Sequence, residues 1–220
     1  MNILILIVII LYAITIHEYS HGWVAHKLGD NTAYLAGRLT LNPLSHLDLI
    51  GTLMFIFLHV GYAKPVPVNA MNFKDPKKDM MLVGIAGPLS NIISALGFGI
   101  IFRLIMINRV LVSSPLFLFI IQLLAGAIIL NLAFAVFNIL PIFPLDGSHI
   151  LKGLLPPHLA YKYSQYDRQL MMILLGIIFI SYFAHISILG FIVWPPVDIM
   201  ARLFSGTSLY GLERILALQP

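Results

Sequence analysis

The chain has no cysteine, and Asp, Glu, Lys and Arg together make up only 10% of its 220 residues. The missing thiols exclude disulfides, thiolate catalysis and cysteine-ligated zinc, so any metal must be held by nitrogen and oxygen ligands. The scarcity of charge, beside 60% hydrophobic residues and a mean hydropathy of +0.95, excludes an ordinary soluble domain. An integral membrane protein is expected. No Ser/Gly-rich linker or low-complexity tract divides the chain, which reads as one membrane-embedded domain over residues 1–220. The formal charge of +4 bears on orientation in the bilayer, and no nucleic-acid partner is expected. No basic residue precedes the first apolar run and no small-residue cleavage site follows it, so the N-terminal segment is expected to stay attached.

What is abundant is long apolar runs. The stretch from Ile3 to Ala25 would measure ~34 Å as a helix, enough to cross a ~30 Å hydrocarbon layer. Runs over about 80–102, 115–140 and 170–194 are also long enough. Leu49–Val60 is too short for a comfortable span and leads into GYAKPVPVN, whose prolines favour extended backbone. The expected fold is therefore an all-α polytopic membrane protein with four or five transmembrane helices and a re-entrant or extended segment after the first. If Leu49–Val60 returns to its own side, Lys27, Arg38, Lys64, Lys74, Lys77, Lys78, Lys152, Lys162 and Arg168 share one face. Arg103, Arg109, Arg202 and Arg214 lie on the other. The positive-inside rule then puts the N-terminus outside and the first helix's C-terminal end towards the cytoplasm. The tail from Val197 reads as an amphipathic surface helix or a short cap.

Against this background the stretch ITIHEYSHGW is anomalous, because Glu18 is one of only two glutamates in the chain. His17 and His21 are four apart, on nearly one face of a helix, where both imidazoles reach one metal ion. Glu18, beside the first ligand, is placed to take a proton from a water activated by that metal. A polar cluster in the headgroup region is the plain alternative, but His17 lies only ~21 Å from the start of the run, still inside the hydrocarbon. Ionisable groups there call for partners and a function.

A hydrolytic zinc site normally takes three protein ligands. Asp146, in NILPIFPLDGSHIL, follows a run broken by Pro141 and Pro144, where the backbone must line protein or water rather than lipid. Asp-Gly is also an ordinary turn pair, and His149 is a rival ligand. Topology couples the choices. Asp146 reaches the depth of His17 and His21 only if Leu49–Val60 is re-entrant.

Together these residues resemble the site-2 protease family of intramembrane zinc metalloproteases. The likeness rests on HEYSHGWVAHKLGD at 17–30, NPLSHLDLIGTL at 42–53, GYAKPVPVN at 61–69, GPLSN at 87–91 and FNILPIFPLDG at 137–147, in that order. It extends to the compact members, without an inserted PDZ-like or appended CBS-like segment. The resemblance implies one zinc per chain on His17, His21 and Asp146, with Glu18 as general base and Asn138 as a polar catalytic group. Ser148 departs from the glycine that often follows Asp-Gly. Taken alone, an intramembrane Asn138 would be a helix–helix hydrogen bond; beside the resemblance it is a donor to an oxyanion. Asn91 and Asn131 read as structural, and GIAGPLSN as close helix packing. Lys64, Pro65, Val66, Pro67 and Val68 form an extended strip that either closes the re-entrant loop or offers an edge to a substrate.

The expected activity is zinc-dependent hydrolysis of a peptide bond in or near a transmembrane helix of a protein substrate, in a bacterial or archaeal cell membrane. The alternative is a metal-ion transporter or channel that uses the His/Asp cluster as a transit site. It explains the ligands but gives Glu18 no task.

Overall fold

The computed structural model describes residues 3–58, 61–108 and 115–218. Among these the architecture is helical, with an isolated antiparallel bridge between Leu47 and Ala63. Peptide groups in hydrocarbon have no water to bond, so uninterrupted apolar runs satisfy themselves as helices. The first, α1 (Ile3–Lys27), buries Ile5, Ile9, Ala13, His17, His21 and Ala25. These fall at every fourth position and make one ridge. The histidines thus continue the stripe that packs the helix into the bundle, while Ile7, Val8 and Tyr12 face outward.

After a short α2 (Thr32–Leu35), α3 (Leu49–Leu58) is only 10 residues long. At 1.5 Å per residue it covers ~15 Å, half a hydrocarbon layer. The flanking chain is closed by the Leu47–Ala63 bridge and by Lys64 N–H donating to His46 O at 2.9 Å. The segment leaves and returns at one place, the geometry a re-entrant segment requires; its last residues, His59 and Val60, lie outside the described residues.

Helix α4 (Pro76–Asn108) is built for close approach. Gly84, Gly87, Asn91, Ala95 and Gly99 are buried along it, and α1, α5, α6 and α9 pack against it. Helix α5 (Pro115–Ile139) is the most enclosed of the long helices. The Pro-broken segment that follows turns into α6 (Asp146–Leu154), folded back against the end of α5. Gly147 permits that return, since a Cβ there would overlap Ile139 O and Leu140 O. Ser148 takes its place in the first turn of α6, fully buried, so the departure from a second glycine is accommodated.

Two expectations are corrected beyond α7 (Pro157–Ser164). The run 170–194 is not one span. Helix α8 (Asp167–Ala184) stops at His185, which adopts a left-handed conformation (φ 53°), and α9 (Gly190–Ser205) starts anew. Hydropathy misses the break because the connecting Ile186, Ile188 and Leu189 are apolar. Helix α8 buries only Leu174 and leaves most of its other apolar side chains exposed, as a lipid-facing span does. Nor is the tail merely a surface element: its outer side is exposed, but its inner side packs into the bundle. Val197 and Ala201 of α9 and Leu212 of α10 (Leu209–Leu216) are 0% exposed, in one cluster with Phe102, Leu124, Ile128 and Leu132. The amphipathic face of α10 finds its apolar partner in protein rather than in lipid.

Candidate metal centre and active site

His17 and His21 come from the inner ridge of α1, and Asp146 from the first turn of α6. His17 Nε2 lies 3.0 Å from Asp146 Oδ2, and His21 Nε2 lies 3.3 Å from Asp146 Oδ1. The ligand atoms of all three lie within 4.8 Å of one another, and both histidines are buried. His149, the rival, sits on α6 with its Cβ against Gly84 and outside this group.

The donor set suits zinc. The Nδ1 atom of His21 is 2.7 Å from Val83 O, which can only accept, so in the neutral ring that nitrogen carries the proton and Nε2 presents a lone pair. The Nδ1 atom of His17 is likewise engaged, by Asn91 Oδ1 at 2.7 Å. Asp146 Oδ2 is buried without a hydrogen-bond donor. The 3.0 and 3.3 Å separations are close to the ~3.3 Å edge of a tetrahedron with ~2 Å metal–ligand bonds. Gly87 of α4 leaves the facing wall open. A Cβ there would lie 2.6 Å from His17 Nε2 and closer still to His21 Nε2.

Glu18 is half-buried at the next position on α1, and its Oε2 accepts from Val66 N–H at 2.8 Å. The extended strip is thereby tied to the polar trio, a contact the sequence did not reveal. Gly22, one turn on, makes room for it, since a Cβ there would come within 3.2 Å of Val66 Cγ1. Along the strip, Lys64 O accepts from Arg38 Nη2 at 2.8 Å. Val66 is buried, whereas Lys64 and Pro65 are exposed and Pro67 and Val68 are half-buried. The strip's far end is held by Asp30, which is fully buried and accepts from Asn69 N–H (2.8 Å), Asn72 Nδ2 (2.6 Å) and Thr32 N–H (3.1 Å). Burial works against the charged form of Asp30, but these donors outweigh it and hold the carboxyl below its usual range.

Asn138 is not drawn to the trio by any hydrogen bond; its Nδ2 donates to Phe134 O at 2.9 Å within α5. Asn91, read as packing, instead touches a candidate ligand directly. The sequence signal was present in GPLSN, but the partner lies 74 residues away.

Similar proteins are named as zinc metalloproteases. The profile of peptidase family M50 matches residues 100–183, the segment that carries Asp146. The chain is 36% identical over 209 residues, 91% of its own length and 90% of the relative's, to the Bacillus subtilis protein named "Putative zinc metalloprotease YwhC". It is 27% identical over 157 residues to zinc metalloprotease MJ0392 of Methanocaldococcus jannaschii, covering 71% of this chain and 36% of that one. No solved structure matches. A likeness to YwhC running nearly end to end in both chains places this one in peptidase family M50, to which it belongs.

Proposed function

We propose that this zinc metalloprotease of the membrane hydrolyses a peptide bond in or near a transmembrane segment of a membrane-protein substrate, with zinc held by His17, His21 and Asp146 and with Glu18 as general base. The observation that carries the reading is the meeting of three lone-pair ligands, a neighbouring carboxylate and an extended strip among helices long and apolar enough to cross a bilayer. When bound, zinc supplies Lewis acidity that makes a water a nucleophile near neutral pH and polarises the scissile carbonyl. Glu18, steadied at one oxygen by Val66 N–H, takes the proton of the attacking water with the other. As the new C–O bond forms and the C–N bond breaks, it returns that proton to the departing amine. Asn138, with one amide hydrogen committed to Phe134 O, has a second to offer the developing oxyanion.

The strip Lys64–Val68 serves as the wall along which an unwound substrate lies. From Lys64 to Pro67 its donors are spent or missing. Lys64 N–H is bonded to His46 O and Val66 N–H to Glu18, while Pro65 and Pro67 have none. Such an edge offers chiefly carbonyl acceptors, so it favours the N–H groups of an extended chain over a regular two-way ladder. A helical substrate must unwind there, because its own hydrogen bonds occupy those groups. The described bundle acts as one catalytic unit, its N-terminus outside and its site towards the cytoplasmic face, by the distribution of Lys and Arg.

The test is Glu18→Gln in proteoliposomes. Near-stoichiometric zinc with cleavage of a transmembrane-helix substrate reduced about 10²–10⁴-fold is expected. Undiminished cleavage removes Glu18 from the mechanism. Metal flux through the native protein without cleavage favours the transporter reading.

A further inference from the structure

Beside the ligand cluster, α1, α4 and α5 are joined by a run of buried hydrogen bonds whose direction can be read without seeing a hydrogen. It is anchored on main-chain carbonyls, which only accept. Asn131 Nδ2 lies 2.8 Å from Ala127 O, which identifies it as the amide nitrogen and leaves Asn131 Oδ1 as an acceptor. Asn91 Nδ2 then faces two acceptors, Asn131 Oδ1 at 2.9 Å and Ala13 O at 3.0 Å. Both hydrogens of that amide are committed. Asn91 Oδ1 therefore faces His17 Nδ1, at 2.7 Å, as an acceptor. As a neutral ring, His17 must carry its proton on Nδ1 and present a lone pair at Nε2, the atom directed at Asp146. Asn91 and Asn131 are both 0% exposed, so water offers neither an alternative partner.

We propose that Asn91, locked in polarity by Asn131, is a positioning residue that fixes the tautomer and ring orientation of His17 for metal binding. The proposal rests on the reading of His17 as a zinc ligand. The assignment also explains why two asparagines occupy a membrane interior where a single interhelical hydrogen bond would suffice for packing. An amide with no fixed acceptor could turn end for end about its Cβ–Cγ bond. Two in series, each facing a carbonyl, cannot turn without setting oxygen against oxygen.

The test measures Zn²⁺ affinity by competition with a chelator, the visible spectrum of the Co²⁺-loaded protein, and thermal unfolding of the metal-free protein. Asn91→Leu is expected to weaken zinc 10–100-fold and to change the Co²⁺ spectrum. Asn91→Asp, which still accepts from His17 Nδ1 but loses its donors to Ala13 O and Asn131, is expected to restore most of the affinity. Asn131→Leu should fall between, and the double Leu variant should bind no worse than Asn91→Leu, because Asn131 acts through Asn91. A purely structural role gives the opposite pattern: Asp as harmful as Leu, both lowering the unfolding temperature with zinc affinity unchanged. That result overturns the proposal. Should Asn91→Leu fail to fold, the comparison of Asn91→Asp with Asn131→Leu decides it alone. His17→Ala separates the two readings. If it binds zinc normally, the metal site itself is wrong; if it loses zinc while the Asn91 and Asn131 variants do not, only the positioning role falls.

Discussion

Among single residues, Gly87 offers the sharpest test of where the metal sits. Glycine inside a helix costs about 1 kcal/mol relative to alanine, so Gly87→Ala should improve α4 taken alone. Yet its methyl group would lie 2.6 Å from His17 Nε2 and nearer to His21 Nε2, in the space the donor atoms surround. The expected outcome is a metal-free protein that is folded but has lost most of its zinc and its cleavage, measured by metal content and unfolding of the stripped protein. Full zinc occupancy would mean that the ion lies elsewhere. The sequence discloses His17, Glu18 and His21 because their relation is local, one helical turn. Asp146 is legible for a different reason, since a carboxylate after a proline-broken apolar run has to be sheltered by protein. Gly87 and Asn91 are not, because their meaning depends on the depth at which α4 passes α1. From sequence alone, a small residue that lets helices touch looks the same as one that leaves room for an ion.

At the scale of elements, the strip is the part whose role depends most on tertiary contact. The prolines at 65 and 67 announce extended backbone, but nothing in their spacing says that the amide between them bonds the candidate base. Val66→Pro deletes that donor where the neighbours already favour a compatible conformation. Losing a hydrogen bond to a carboxylate, about 1.5–3 kcal/mol, should lower kcat roughly 10- to 100-fold while zinc content stays unchanged. Equal kcat in the variant would show that Glu18 is held without the strip. The strip's other end depends on Asp30, and its pH behaviour has a definite sign. The folded carboxyl sits below its usual range, so its contribution is complete above the unfolded value of about 3.9 and is lost as pH falls through the lower folded value. Asn69, placed on Asp30 by its own N–H, should become protease-accessible only in that acid window. In Asp30→Asn, where one oxygen replaces two, the exposure should already be present at neutral pH. The division between α8 and α9 was illegible for a related reason: a left-handed residue at 185 ends a helix while most of its neighbours stay apolar.

For the whole molecule the decisive question is which ends of the chain share a membrane face, and the absence of cysteine makes it answerable. Single cysteines can be introduced with no background thiol and labelled by an impermeant reagent in oriented vesicles. Leu47 and Ala63 are bridged, so the chain between them makes no net crossing, and the start of α4 lies on the side where α1 ends. The packing agrees: Ala25 near the end of α1 is buried in one cluster with Phe73 and Val83, which flank the first turn of α4. Lys27→Cys and Lys74→Cys should therefore react from the same face, and Arg103→Cys, near the far end of α4, from the other. In the orientation proposed from the positive-inside rule, the first face is the cytoplasmic one. Labelling of positions 27 and 74 from opposite faces would require α3 and its flanks to cross the bilayer. The Leu47–Ala63 bridge could not then exist, and Asp146, one further crossing along the chain, would be carried to the face opposite His17 and His21. A labelling pattern thus tests the metal centre without reference to metal, because ligands from α1 and α6 can meet only if an odd number of crossings leads from the N-terminus to each.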